Sequence, residues 1–151
     1  MTATARLDGD ELIATRTIAA PLDDVWDAFT KTEHLAAFWG GDHATVRPDS
    51  VTVDLRPGGS FELDTEAPNG RTTRLRFVYD VVSPPTLLAF TEPTKGIVTT
   101  VRLDPHPTGT TVTVRQRRLP PELRTSQAAN GLRAILDALA HHLSSDQEGM
   151  E

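Results

Sequence analysis

The sequence predicts an α+β fold in which one antiparallel sheet of seven strands is covered by a long C-terminal helix, with two short helices between the first strand and the second. Three observations predict it. Leu132, Ile135, Leu136, Leu139 and Leu143 recur at helical spacing within a pattern running from Pro121 to Leu143 and draw a single apolar stripe, which Ala128 extends towards its start. Between residues 51 and 118 every apolar run is of strand length and is cut off by a turn signal. Within those runs one face is apolar and the other charged, most plainly where Thr73, Leu75, Phe77 and Tyr79 alternate with Arg74, Arg76, Val78 and Asp80. The helix stripe and the apolar sheet face must bury each other. One helix does not fill the curve of a wide sheet, so the pattern also predicts an internal pocket.

Taken in order, Leu12 to Ile18 alternates and forms the first strand. Pro21 stops it and opens a short helix, with Asp23 and Asp24 at the positive end of its dipole and Val25, Trp26 and Phe29 on its buried face. Thr32 and Glu33 signal a second short helix carrying Leu35, Phe38 and Trp39, ended by Gly40 and Gly41. Val51, Val53 and Leu55 form a strand, Pro57-Gly58-Gly59 a turn, and Phe61, Leu63 and Thr65 the next strand. Asn69-Gly70 gives the strongest hairpin signal, predicted as a tight turn with positive φ at both central residues. The Thr73 strand follows, and Pro84-Pro85, Pro93 to Gly96 and Pro105 to Gly109 then separate strands at Leu87 to Thr91, Ile97 to Leu103 and Thr111 to Gln116. Residues 1 to 9 and 144 to 151 are polar and aperiodic and are expected to fray.

At 151 residues, 38% hydrophobic and 24% charged, the chain is read as a single domain spanning 1–151, with an ordered core at about 10–143. No apolar run spans a bilayer, and Met1 to Arg6 lacks the order of a secretion signal, so a cytoplasmic location without membrane insertion is expected. The absence of cysteine excludes disulfides, thiolate metal sites and a cysteine nucleophile. A formal charge of -6 argues against nucleic-acid binding. The one basic cluster, Arg115, Arg117 and Arg118, reads as the solvated end of a strand.

Four stretches resemble a known family: Ile18-Ala19-Ala20-Pro21 running into Val25-Trp26-Asp27-Ala28-Phe29-Thr30; Leu35-Ala36-Ala37-Phe38-Trp39-Gly40; Val53-Asp54-Leu55-Arg56-Pro57-Gly58-Gly59-Ser60-Phe61; and Asn130-Gly131-Leu132 followed by Leu136-Asp137-Ala138-Leu139-Ala140. Together they are similar to the START-like (SRPBCC) superfamily, and within it to the activator of heat-shock chaperone ATPase homologue group, over residues 11 to 143. The resemblance implies a helix-grip fold, a seven-stranded sheet wrapped around the closing helix. That helix usually carries a tryptophan after its glycine; here Leu132 follows Gly131, which implies a wider or differently shaped pocket.

No motif for chemistry stands out. His141 and His142 are adjacent, so on a helix they point about 100° apart and are expected in solvent. His34, Asp42 and His43 form a loose group without ligand spacing, and no metal or cofactor is expected. There is no Gly-x-Ser-x-Gly turn and no phosphate-cradling loop, so no catalytic residue is assigned. Glu62 and Asp64 fall on the outward register, whereas Arg16, Thr73, Thr99 and Gln116 share registers with inward apolar residues. The candidate ligand-lining residues are Leu35, Phe38, Trp39, Phe61, Leu63, Thr73, Leu75, Phe77, Phe90, Thr99, Val101, Leu132 and Leu136, with Phe38 and Trp39 as a movable lip. The leading expectation is a binding module for a small hydrophobic or amphipathic molecule. Its alternatives are an enzyme resembling polyketide cyclases, with cyclase, dehydratase or hydrolase chemistry run by polar pocket residues, and a chaperone partner that activates an ATPase. An exposed edge strand would permit a homodimer.

Overall fold

The computed structural model describes residues 3–40 and 44–149, with side chains described to residue 144. Its strands are β1 (Thr4–Asp8), β2 (Glu11–Ile18), β3 (Thr45–Val46), β4 (Thr52–Val53), β5 (Ser60–Glu66), β6 (Thr72–Ser83), β7 (Leu87–Glu92), β8 (Ile97–His106) and β9 (Gly109–Arg117); its helices are α1 (Leu22–Thr30), α2 (Thr32–Phe38) and α3 (Ser126–Gly149). All strands join one antiparallel sheet in the order β1-β2-β9-β8-β7-β6-β5-β3, with β4 also paired to β5. The α+β architecture and the closing helix are as the sequence predicts. The nine strands exceed the predicted seven because β1 pairs with β2 where fraying was expected, and because β3 is a two-residue strand on the sheet's far edge. Val51 and Leu55 fall outside β4, which is only two residues long.

Two boundaries differ for local reasons. Residues 121–123 form a separate 3-10 turn, and α3 begins at Ser126, where the Thr125 hydroxyl accepts a hydrogen bond from the Ala128 N–H at 3.1 Å as an N-cap. At the β5–β6 hairpin Asn69 does not take positive φ; Pro68, with its fixed φ, occupies the first corner of the turn instead, so only Gly70 is left-handed at φ +86. The Gly70 N–H donates to the Ala67 carbonyl at 2.8 Å and closes that turn.

Strand alternation decides what faces inward. Leu12, Ala14 and Ile18 of β2, Val112 and Val114 of β9, Val101 and Leu103 of β8, Leu88 and Phe90 of β7, Tyr79 of β6 and Phe61 and Leu63 of β5 are all buried on one face. Against them α3 presents Ala129, Leu132, Leu136, Leu139, Ala140 and Leu143. Each fully buried leucine contributes about 1.5–3 kcal/mol by leaving water. The opposite face is charged as expected: Arg74 lies 3.3 Å from Glu62 and 3.2 Å from Asp64, confirming both carboxylates as outward-facing. The backbone of α3 packs on β1 and β2 and reaches α1 and α2, but does not lie closely along β5 to β8.

The helix is fastened to β2 and β1 by polar contacts. Arg16, inward on β2, donates to the Asp137 carboxylate on α3, and the Ala3 N–H donates to the same oxygen at 2.9 Å. The small residues Ala3 and Ala14 let the helix approach the sheet here. At the other end of the strands, an added Cβ on Gly109 would lie 2.1 Å from the Ile18 carbonyl oxygen, so the β8–β9 hairpin can press against the end of β2 only with glycine there.

Candidate functional site

The half of the sheet that α3 does not cover is roofed by aromatics. Trp39, at the C-terminal end of α2, sits edge-on to Phe61 at 5.5 Å between ring centroids and to Phe77 at 5.8 Å, and lies tilted 6.0 Å from Phe90. Phe61 and Phe77, directly opposite on β5 and β6, stack at 4.7 Å, and Phe90 meets both edge-on at 5.0 and 5.3 Å. Such edge-to-face pairs are favoured by the ring quadrupoles and hold the rings in fixed relative positions. Phe38 packs edge-on to Phe29 at 5.5 Å and so ties α2 to α1.

Burial along this inward face is graded. At the end where α1 plugs the sheet, Tyr79, Leu88, Leu103, Val112 and Ile18 are sealed. Towards the opposite end, where β6 and β8 begin and β9 runs towards α3, the inward residues Leu75, Phe77, Ile97 and Gln116 are only half-buried. Trp39 is half-buried as well, as are Leu123, Ala128 and Ile135 before and within the first turns of α3. The grip is closed at one end and partly open at the other.

The thirteen residues expected to line a pocket divide accordingly. Leu35, Phe38, Phe61, Leu63, Phe90, Val101 and Leu136 are at most 1% exposed and serve as core. Thr99 and Leu132 are buried with slight exposure. Trp39, Leu75 and Phe77 are half-buried at the open end. Thr73 shares their face, opposite Thr65, but lies exposed. Ile97 and Leu123 were missed by sequence reasoning, although the period-2 pattern of β8 puts Ile97 on the Thr99 register.

Among the described residues buried polar groups are few, and the Tyr79 hydroxyl, on a residue 1% exposed, has no hydrogen-bond partner. Burial pushes its phenol well above the ordinary range, and the negative charge of Asp54 adds to the shift. The Nε atoms of Arg16 and Arg133 are likewise buried without partners. Arg16, singled out for its inward register, is thus an anchor for α3 through Asp137.

The histidines correct an expectation. His141 is exposed as expected, but His142 is half-buried, and its Nε2 lies 2.8 Å from Nδ1 of His34 on α2. His34 lies in the first turn of α2, which packs against α3. Asp42 and His43, grouped with His34 on sequence, lie outside the described residues. On the outer face, a recess of about 480 Å³ is lined by Arg117 and Arg118 together with Asp10, Glu11 and Asp80, so the basic cluster at the end of β9 is interleaved with carboxylates. Arg115 stands 3.9 Å from Glu11.

Among the described residues no helix is long and apolar enough to cross a membrane. Comparison with curated protein sequences finds no match. The fold is similar to that of solved structures of a protein from Rhodobacter sphaeroides (TM-score 0.81, 22% identity, covering 95% of this chain and 98% of that one) and of a protein from Nitrosomonas europaea (0.82, 21%, 94% and 99%). It is also similar to an AHSA1-like protein from Aeromonas hydrophila (0.77, 22%, 93% and 95%). The family model described as "Activator of Hsp90 ATPase homolog 1-like protein" matches residues 19–144. With a helix-grip architecture and a match over most of its length, the chain belongs to this AHSA1-like family of the START-like (SRPBCC) superfamily.

Proposed function

We propose that the protein binds a small apolar or amphipathic molecule at the partly open end of the grip. On this reading Trp39, Leu75 and Phe77 make the apolar contacts from one side, Ala128, Leu132 and Ile135 of α3 make them from the other, and the side chains of Thr99 and Gln116 orient the ligand's polar group. The observation that carries the reading is the burial gradient along one continuous inward face: the same register that is sealed at Tyr79 and Leu103 opens at Leu75, Phe77 and Ile97. Apolar surface left half-open beside a few polar side chains is the composition expected of a ligand site. Native mass spectrometry of the purified protein, followed by displacement of a bound hydrophobic dye with candidate ligands, tests it. A one-to-one adduct or a saturable, competable dye signal supports the reading; a folded protein showing neither refutes it.

A second reading, turnover within the same interior, has one observation in its favour. The Tyr79 hydroxyl is buried, has no partner among the described residues and is held protonated, which suits a hydrogen-bond donor towards a carbonyl oxygen. Substrate consumption by the wild type that is lost in Tyr79→Phe, with dye binding kept, would establish it over simple binding.

A further inference from the structure

We propose that the outer face of the sheet carries a site of its own, a recess over β7, β8 and β9 that binds the dianionic head of a phosphate monoester with a small apolar body. It lies on the opposite face of the sheet from the interior, so it stands independently of the ligand-binding reading. The recess holds about 440 Å³ and is lined by Leu87, Thr100, Arg102, Thr113, Arg115 and Arg117. Three guanidiniums and no carboxylate line it, on a chain whose formal charge is -6. A concavity walled by one sign of charge focuses the field and concentrates ions of the opposite sign. Arg117 stands between this recess and the mixed-charge one that Arg118 lines.

Strand pairing fixes how these side chains meet. Arg115 stands directly opposite Thr100 and Arg102 directly opposite Thr113, so guanidinium and hydroxyl alternate in a checkerboard, with Arg117 one rung further along β9. Residues two apart on one strand are separated by about 6.8 Å and diagonal neighbours by about 7–8 Å; long side chains close such distances, so the three guanidiniums reach one group from three sides. Their donors are available. Arg102 donates to Asp104 through Nε alone, at 3.4 Å, Arg115 comes no nearer than 3.9 Å to Glu11, and Arg117 makes no ion pair among the described residues. The half-buried Thr100 and Thr113 likewise have no hydrogen-bond partner for their hydroxyls among the described residues. Guanidiniums donate in pairs to phosphoryl oxygens, and a monoester offers three such oxygens and nearly two charges at neutral pH. That matches three cations and two hydroxyl donors better than a singly charged carboxylate or sulfate ester does. The volume exceeds that of a bare phosphate, and the remainder of the ligand has an apolar shelf: Leu87 lies opposite Arg102, while Ala89 and the 39% exposed Val81 continue the row of Thr100.

The test uses the full-length protein with phenyl phosphate as the probe. In proton–nitrogen NMR spectra the side-chain Nε–H signals of Arg102, Arg115 and Arg117 should shift saturably at millimolar probe or below, while that of Arg6, which faces Asp8 on β1, should stay in place. Arg102→Gln and Arg115→Gln should each weaken binding about tenfold or more, and Arg6→Gln should leave it unchanged. Phenyl sulfate, with one charge, should bind more weakly, and lowering the pH from about 7 to about 5 should weaken phenyl phosphate severalfold as the ester takes up its second proton. Phosphatidylcholine vesicles carrying phosphatidic acid present the same group on a membrane: sedimentation of the protein with them, lost in R115Q, makes the natural ester a lipid headgroup, and binding of phenyl phosphate without sedimentation makes it a soluble one. Shifts reproduced by sodium chloride at equal ionic strength, phenyl sulfate binding as tightly as phenyl phosphate, or R102Q and R115Q binding like the wild type would each overturn the site. The wild-type arginine signals decide the matter even if a variant fails to fold.

Discussion

Asp137→Asn tests how α3 is held on the sheet. The substitution keeps the shape of the side chain and an oxygen for the Ala3 N–H, but removes the charge that pairs with Arg16. The Arg16 side chain is 18% exposed and that of Asp137 36%, so the pair lies between two known limits. Breaking a fully buried pair costs about 3–5 kcal/mol because a charge is left uncompensated, whereas exposed pairs contribute about 0–1 kcal/mol. Arg16 is the more enclosed partner, and its Nε already lacks an acceptor. The guanidinium left behind in D137N would therefore sit largely without compensation, and the expected cost is about 2 kcal/mol. For a chain of this size that corresponds to a fall in Tm of about 4–8 °C. Urea unfolding followed by far-UV circular dichroism measures it. Adding Arg16→Met to D137N should recover most of the loss, because no guanidinium is then left uncompensated while the amide oxygen introduced at position 137 still accepts from the Ala3 N–H. A D137N variant within about 0.5 kcal/mol of wild type, or a double variant worse than the single one, would refute the claim that this pair fastens the helix.

Phe61→Ala removes the ring that stacks on Phe77 and meets Trp39 and Phe90, and should cost about 3–5 kcal/mol in urea unfolding; a cost under about 1 kcal/mol would mean the cluster collapses into the gap. Tyr79→Phe deletes an unpartnered buried hydroxyl and should be neutral or stabilising by about 1 kcal/mol; a clear loss of stability would reveal a partner for that hydroxyl. Because the folded state raises the Tyr79 pKa, it resists the ionisation that the unfolded chain undergoes near pH ~10. Wild-type stability should therefore fall as pH rises above that value, and Y79F should blunt the fall; identical alkaline profiles would contradict the burial of the phenol. Gly109→Ala forces a Cβ against the Ile18 carbonyl and should destabilise by more than about 2 kcal/mol, read as the shift in thermal midpoint.

Period and punctuation carried most of the architecture. The alternation of β6 placed Phe77 and Leu75 inward and Arg74 and Arg76 outward, and the stripe of α3 named the leucines that the structure buries. β1 escaped because its inward side holds only Ala5 and Leu7, the first too small to signal a core and the second left exposed at the sheet's edge, so no strong apolar alternation marks it. The turn at Asn69-Gly70 was displaced by a neighbour, Pro68, whose fixed φ outweighed the Asn-Gly preference. The register of Arg16 was legible, but not its partner, since Asp137 lies 121 residues away. The same holds for His34 and His142, separated by 108 residues and joined only when α2 and α3 dock. Which inward residues are core and which stand at the open end depends on where α3 lies across the sheet, and no local pattern encodes that.

The proposed site is tested most directly through Trp39. The chain has two tryptophans, and Trp26 is buried in the core, so Trp26→Phe leaves Trp39 as the only tryptophan, excited selectively over Tyr79 at the red edge of the absorption band. Titrating this variant with an uncharged naphthalene dye should quench Trp39 emission saturably, a medium-chain fatty alcohol should reverse the quenching, and Leu75→Arg should abolish it while Leu75→Met preserves it. If the folded W26F protein shows only linear, non-saturating quenching that L75R leaves unchanged, the open end of the grip is not a ligand site.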